Sequence, residues 1–195
     1  MKQKKLFLIL AILCSLLFIV LTFFVYNDSP ILQAINTYIA SRIYVSDLFL
    51  PFIQFISSLG STHFVAAAFV SLFMVLLFKK KFQLLAYAPI LFVGALIHYT
   101  LKRVLEIQRP INQFLLTPSY PSGHTFGAAL LYWTLAFLLW KNNKPLAYVC
   151  IIIPLIIAFT RIALGVHWFT DVIAGLLLAG ATVCFFITRV KKNNK

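Results

Sequence analysis

The chain has 195 residues, of which 62% are hydrophobic and 11% are charged, whereas a soluble globular domain carries roughly 25% charged residues. This composition excludes a compact water-soluble globule and favours a single membrane domain over residues 1–195, because each crossing needs about 20 apolar residues. The net charge of +13 would suit either nucleic acid or a membrane surface, so the placement of the charges along the chain decides.

Six long apolar runs predict an all-α integral membrane bundle of six transmembrane helices, because each run is long enough to cross a bilayer. The runs cover residues 6–25, 60–78, 82–101, 124–140, 146–164 and 166–188. The first run follows a cluster of lysines but is too long for an ordinary signal-peptide core, and no small-x-small cleavage site follows it. We therefore interpret it as an uncleaved anchor.

The segment between the first two runs, residues 30–58, is apolar but is interrupted by Arg42, Asp47 and Pro51. Apolar side chains recur at helical spacing across residues 31–39, which predicts helices lying at the outer membrane interface. Such helices would roof a lipid entrance. An ordinary packed connection is an equally good interpretation.

The basic residues predict the orientation of the chain, because Lys and Arg resist translocation. With the N-terminus inside, 12 of the 17 Lys and Arg residues lie in cytoplasmic segments. These are Lys2, Lys4, Lys5, Lys79, Lys80, Lys81, Lys141, Lys144, Arg189, Lys191, Lys192 and Lys195. Both termini are therefore predicted to be cytoplasmic in a multi-pass cell-membrane protein, and the basic excess does not indicate a nucleic-acid partner.

Ionisable residues form three short segments at the predicted outer ends of the runs, at residues 102–110, 121–124 and 160–171. Such residues cost about 2.5–3.5 kcal/mol each at mid-span on insertion scales and less near the interface, so their presence needs a reason. The lysine count alone places all three segments on the extracytoplasmic side. This agreement predicts one extracytoplasmic site.

His167 and Asp171 are spaced four residues apart, which predicts that they share one face of the sixth helix. The carboxylate can then accept the proton of one imidazole nitrogen and leave the other nitrogen free as a nucleophile. His124, at a predicted helix start, can donate a proton to a departing alcohol oxygen.

Three cations and one helix start indicate that the bound group is an anion. Lys102, Arg109 and Arg161 provide the positive charge, and Arg suits paired contacts with phosphate oxygens. The turn at Ser122 and Gly123 offers backbone N–H groups and a hydroxyl to the same anion. Together these groups would stabilise an in-line displacement at phosphorus.

The three segments read Lys-x6-Arg-Pro over residues 102–110, Pro-Ser-Gly-His over 121–124 and Arg-x5-His-x3-Asp over 161–171. This pattern resembles the three signature motifs of the type-2 phosphatidic acid phosphatase family, whose fold and site also resemble those of glucose-6-phosphatase and vanadium haloperoxidases. The six-span layout of bacterial members extends the resemblance to the whole chain.

The resemblance implies a role for each matching residue. His167 corresponds to a nucleophile that forms a phosphohistidine, Asp171 to its orienting partner and His124 to the general acid. The implied phosphate-binding residues are Lys102, Arg109, Ser122, Gly123 and Arg161. The third motif usually begins with Ser, and Thr160 stands there in this chain. The family needs no metal or other cofactor, and this sequence has no acidic cluster suited to magnesium.

The resulting prediction is a membrane phosphatase that hydrolyses a lipid phosphate or diphosphate, and the resemblance implies undecaprenyl diphosphate, phosphatidylglycerophosphate or phosphatidate without choosing among them. A lipid phosphotransferase with the same site and an organic-anion transporter without chemistry are the alternatives. Zinc bound by His124, His167 and Asp171 is disfavoured, because three nearby cations would repel it. The oligomeric state is not predicted. Lys102 and Glu106 could form a simple ion pair, and His98 is interpreted as a structural histidine.

Overall fold

The computed structural model describes residues 2–43, 45–81, 88–110 and 117–189. All regular structure within these ranges is helical, which confirms the predicted all-α class. The eight helices described are α1 (Lys2–Tyr26), α2 (Pro30–Arg42), α3 (Leu50–Ser58), α4 (Thr62–Phe78), α5 (Ala88–Leu105), α6 (Gly123–Leu139), α7 (Lys144–Ala163) and α8 (Phe169–Arg189).

Four stretches of the described chain are long and apolar enough to cross a membrane, namely Gln3–Tyr26, Leu50–Phe78, Lys144–Ala163 and Phe169–Arg189. The second stretch joins α3 to α4, and α6 is a shorter apolar helix. Residues 82–87 of the predicted third run lie outside the described residues. The integral membrane character is confirmed, whereas the count of six spans and the interfacial position of α2 and α3 stay predictions.

Helix α8 lies at the centre of the fold and packs against α1, α6 and α5. Their contact surface forms one apolar core that includes Phe18, Phe126, Leu130, Leu178 and Phe186. Burial of such side chains contributes about 1.5–3 kcal/mol each relative to water, but in a bilayer it is mainly close packing that holds helices together.

Glycines allow two close approaches that shape the site end of the bundle. A Cβ at Gly175 of α8 would lie 2.9 Å from the carbonyl oxygen of Ser122 at the start of α6. A Cβ at Gly60, between α3 and α4, would lie 2.8 Å from Ile157 Cγ2 and 2.9 Å from the carbonyl oxygen of His124. Larger residues at either position would push apart the helices that carry the predicted motifs.

The start of α8 corrects one prediction. The sixth helix was expected to include His167, but α8 begins at Phe169, and His167 lies in the bend before it. The prediction that His167 and Asp171 share one helical face is therefore wrong. Asp171 instead caps its own helix, because its Oδ2 accepts the backbone N–H of Trp168 at 2.8 Å. A carboxylate that reaches back to the start of its helix in this way also contacts His167, two residues before α8.

Candidate active site

The Asp171 carboxylate is fully buried, and its Oδ2 atom accepts three hydrogen bonds. The donors are Nδ1 of His167 at 3.1 Å, the backbone N–H of Trp168 at 2.8 Å and the hydroxyl of Ser119. The other carboxylate oxygen, Oδ1, has no partner among the described residues. One oxygen of Asp171 thus fixes the orientation of the imidazole.

Arg109 determines which nitrogen of His167 carries the proton. Its Nη1 atom lies 3.2 Å from Nε2 of His167, and a guanidinium can only donate. Nε2 must therefore be the accepting nitrogen, and the proton lies on Nδ1, facing Asp171. The unshared electron pair of the imidazole then points away from the carboxylate, as a nucleophile requires.

His167 is also kept neutral by its surroundings. Burial lowers the pKa of His167 to about 4, against the opposing effect of the hydrogen bond and negative charge of Asp171. The ring is therefore neutral at neutral pH, with its single proton on Nδ1 and an electron pair on Nε2.

Arg109 is held almost entirely by oxygen atoms of the chain. Its Nε donates to the carbonyl of Thr117 at 2.8 Å and its Nη1 to the carbonyl of Val166 at 2.7 Å. In the part of the chain that the structure describes, no carboxylate lies within ion-pair distance of Arg109, Lys102 or Arg161. Unpaired, partly buried cations are costly, so a bound anion would stabilise them.

Lys102, on the last turn of α5, points at the loop that precedes α6. Its Nζ lies 3.4 Å from the carbonyl oxygens of both Ser119 and Pro121. Among the described residues it forms no ion pair with Glu106, so that alternative has no support. His98 supports the same loop, because its Nε2 lies 3.2 Å from the Pro121 carbonyl oxygen.

Helix α6 begins at Gly123 with Ser122 as its N-cap, one residue before the start of the predicted apolar run at residue 124. The N–H groups of the first turn have no partner within the helix and can bind an anion. The N–H of Ser122 itself is not free, however, because it donates to the backbone carbonyl of Asp171 at 3.0 Å. This N–H instead joins the second motif to the third, and the phosphate-binding role of Ser122 and Gly123 stays a prediction.

His124 lies in the first turn of α6 and is half-buried. The start of α6 is joined to the third motif by the Ser122 N–H on the Asp171 carbonyl, and the His124 carbonyl oxygen lies against Gly60. The structure therefore brings both imidazoles and all three predicted cations to one end of the bundle, although they come from four different parts of the chain.

Arg161 lies in the last turn of α7 and is oriented by a residue that the sequence analysis missed. Its Nη1 donates to the hydroxyl of Ser57 at 2.6 Å, whereas its buried Nε has no partner among the described residues. Thr160 does not share this role, because its hydroxyl donates to the carbonyl of Ile157 within α7 at 2.7 Å. The hydroxyl that stands at the start of the third motif is thus used by its own helix.

Ser119 and Ser57 are the two site residues that sequence reasoning missed. The only sequence signal for Ser119 is its position two residues before the second motif. Ser57 carries the weaker signal of a polar residue in an apolar segment far from any motif. Both are almost fully buried, at 0% and 2% exposure, which is unusual for a serine.

The described residues contain no group of three or more His, Cys, Asp or Glu side chains that could hold a metal ion. Both nitrogens of His167 are already engaged, by Asp171 and by Arg109. The arrangement therefore does not favour the zinc alternative.

These features define a helical membrane domain with a histidine and aspartate pair beside cations that have no carboxylate partner among the described residues. A family model described as the PAP2 superfamily matches residues 84–195, which is more than half of the chain. The chain therefore belongs to the PAP2 superfamily, and the resemblance inferred from the three motifs is confirmed.

Named relatives are phosphatases. The chain is 28% identical to phosphatidylglycerophosphatase B of Bacillus subtilis (strain 168) over 146 residues, which cover 67% of this chain and 71% of that protein. It is 33% identical to an undecaprenyl-diphosphatase of Sulfolobus acidocaldarius over 129 residues, which cover 60% of each protein. The chain thus spans less than two thirds of that second relative. The predicted enzyme class of this chain, a phosphoric ester hydrolase, is confirmed.

A solved structure shares the fold. The crystal structure of a transmembrane PAP2 type phosphatidylglycerolphosphate phosphatase from Bacillus subtilis matches with a TM-score of 0.79, covering 95% of this chain and 99% of that chain. The sequence identity is 21%, so this likeness supports the fold alone.

Proposed function

We propose that this protein hydrolyses a lipid phosphate or diphosphate at the outer surface of a cell membrane, through a phosphohistidine formed on His167. The observation that carries the proposal is the orientation of that ring, with its Nδ1 on Asp171 and its Nε2 facing Arg109. The Nε2 electron pair lies among cations that have no carboxylate partner, and it becomes available for attack on phosphorus once Arg109 turns from Nε2 to a phosphoryl oxygen.

In the first step, Nε2 of His167 attacks phosphorus in line with the departing oxygen. The N–P bond forms while the P–O bond to the leaving group breaks, and His124 gives its proton to the departing oxygen. The imidazole becomes positively charged as it gains phosphorus, and the adjacent Asp171 carboxylate stabilises that charge.

In the second step, water attacks the phosphohistidine. His124, now neutral, accepts a proton from that water as the N–P bond breaks, and phosphate leaves. Arg109, Arg161 and Lys102 neutralise the phosphoryl oxygens throughout. On substrate binding, Arg109 exchanges its contact with Nε2 for a phosphoryl oxygen.

An apolar cavity of about 500 Å³ supports a lipid as the substrate. It lies between α4, α5 and α6, and its lining includes Gly60, His98 and Gly123 at the site end. On α4 the lining extends from Thr62 to Leu76, which is about 21 Å at about 1.5 Å per residue. Because the hydrocarbon layer is about 30 Å thick, one hydrocarbon chain can lie there while its phosphate remains beside His124.

The helix directions support the extracytoplasmic location. Helices α4 and α6 both begin beside the site, and the lysines that follow them, Lys79 to Lys81 and Lys141, lie at the opposite end. If these lysines are cytoplasmic by the positive-inside rule, the site faces outward and both termini face inward.

Phosphate release from purified lipids in detergent tests the proposal. Phosphatidylglycerophosphate, undecaprenyl diphosphate and phosphatidate are assayed with vanadate as competitor, alongside the variants His167→Ala and His63→Ala. His63 is exposed on the first turn of α4 and is a matched control. We expect release from at least one lipid, loss of activity in His167→Ala and full activity in His63→Ala.

The same assay separates the two alternatives. A phospholipid product formed in place of free phosphate, with an acceptor lipid present, would indicate a phosphotransferase. Uptake of an organic anion into proteoliposomes that survives in His167→Ala would indicate a transporter. A ³²P-labelled, acid-labile phosphohistidine in the wild type, absent in His167→Ala, would identify the nucleophile.

A further inference from the structure

Ser119 is fully buried, and each of its polar groups is engaged. Its backbone N–H donates to the carbonyl of Ile107 at 2.7 Å. Its own carbonyl lies 3.4 Å from Nζ of Lys102, and its hydroxyl donates to Oδ2 of Asp171. One serine outside the three motifs thus joins the first motif to the third.

The hydroxyl of Ser119 touches both members of the catalytic pair. Besides its bond to Asp171, Oγ lies 3.3 Å from Nδ1 of His167. Oδ2 of Asp171 is therefore surrounded by Ser119, by His167 and by the backbone of Trp168, while Oδ1 has no partner among the described residues. Three donors on one oxygen fix the rotation of the carboxylate, and the loss of one loosens it.

We propose that Ser119 is a positioning residue, whose hydroxyl holds the Asp171 carboxylate so that His167 keeps its Nδ1 proton and presents Nε2 to the substrate. This inference rests on the proposed function, since it assigns a task within that reaction. Ser119 acts through Asp171 and does not touch phosphate.

The hydrogen bond also changes the charge that His167 meets. By donating to Oδ2, Ser119 weakens the stabilisation that Asp171 gives to a protonated imidazole. Removing the hydroxyl should raise the pKa of His167 and move the acid limb of kcat/KM to higher pH. The other titratable or charged groups near His167 and Asp171 stay unchanged in such a variant: Arg109 from the connection after α5, His98 and Lys102 from α5, His124 from α6, and Arg161 from α7.

Three variants of the full chain, purified in detergent, test the inference. Ser119→Ala removes the donor, Ser119→Cys keeps a weaker donor on a larger sulfur atom, and Ser58→Ala is the control. Ser58 is exposed, and its hydroxyl bonds within α3. We expect kcat to fall about 10-fold or more in Ser119→Ala, the size of one hydrogen bond to a charged group. KM should change less, the acid limb should move up, Ser119→Cys should recover part of kcat, and Ser58→Ala should match wild type.

A double-mutant cycle separates positioning from mere packing. If Ser119 acts through Asp171, adding Ser119→Ala to Asp171→Asn should cause little further loss. The inference is overturned if Ser119→Ala keeps wild-type kcat, if its acid limb does not move, or if its full loss recurs beside Asp171→Asn. Should Ser119→Ala fail to fold, Ser119→Cys carries the same measurements. A wild type inactive on every lipid would overturn the proposed function instead.

Discussion

Helices α8 and α4 both begin beside the site, yet they are packed in opposite ways. Helix α8 has 21 residues and buries eleven of them, including Asp171. Helix α4 has 17 residues and buries only Val65. The buried helix holds the group that orients His167, whereas the exposed helix lines the apolar cavity.

This difference separates two physical tasks. Catalytic groups must be held within about 0.5 Å of their productive positions, which needs dense packing around them. A hydrocarbon chain needs only an apolar surface with few fixed polar groups. Helices α3 and α4 lie outside the range of the family match, residues 84–195. The chain still approaches the site there, at Ser57 of α3 and at Gly60 between the two helices.

The largest effect on activity is expected from Asp171→Asn, on the densely packed helix α8. Asparagine keeps the shape but loses the charge, and its amide can donate to Nδ1 and so move the ring proton to Nε2. We expect kcat for phosphate release to fall by roughly 10²- to 10⁴-fold. The exposed carboxylate Asp47 supplies the control Asp47→Asn. Activity near wild type in Asp171→Asn would mean that the carboxylate does not orient His167.

A smaller loss of activity is expected from Ser57→Ala, which tests whether helix α3 contributes to the site. The variant removes the acceptor of Arg161 Nη1 and leaves the guanidinium free to turn away from phosphate. We expect kcat/KM to fall about 10-fold, mainly through KM, because a binding contact is lost.

Ser58→Ala is the matched control in this comparison, because the Ser58 hydroxyl bonds to the carbonyl of Phe55 within α3. Michaelis curves for the two variants decide the matter. Equal kinetics for Ser57→Ala and Ser58→Ala would mean that α3 does not contribute to the site. Catalysis would then depend on the packed helices alone.

A substrate-dependent effect is expected from Ala66→Phe on α4. Ala66 lines the apolar cavity, and its neighbour Ala67 does not. A phenylalanine at position 66 should reduce kcat/KM for a long-chain lipid phosphate roughly 3- to 10-fold. Ala67→Phe should not, and a short-chain soluble phosphate ester should be hydrolysed equally by both. A loss that is the same for short and long substrates would indicate a disturbed site instead of a filled cavity.

The helices and the charged residues of the site were predictable from the sequence, because they depend on residue types and periodicity. The apolar runs predicted the long helices, and the turn at Ser122 and Gly123 before the fourth run predicted the start of α6 to within a residue. The ionisable residues of the motifs were recognisable because charge is rare in so apolar a chain.

The missed features depend on contacts between distant residues. Ser119 and Ser57 differ from other serines only through the buried atoms that they meet, Oδ2 of Asp171 and Nη1 of Arg161. The place of His167 before α8 was missed because a spacing of four residues suggests one helical face. A capping carboxylate brings the same two residues together without that helix.

The smallest expected effect is that of pH on the charge of His167, which should stay neutral between pH 7 and pH 5.5. Burial lowers the pKa of His167 to about 4, although Asp171 opposes the shift, so the ring stays neutral above that pH and gains a proton only as pH falls through it. An imidazole with the ordinary pKa of about 6.5 would instead be about 90% protonated at pH 5.5.

¹⁵N NMR of histidine-labelled protein, with His167→Gln to assign the signal, reads both the charge and the tautomer. We expect a neutral ring protonated on Nδ1 at both pH values. A His167 signal that titrates near pH 6.5 would mean that water reaches the ring in the working protein. In that case the site at the start of α8 would be open to water, and dense packing around α8 could not be what holds His167 in place.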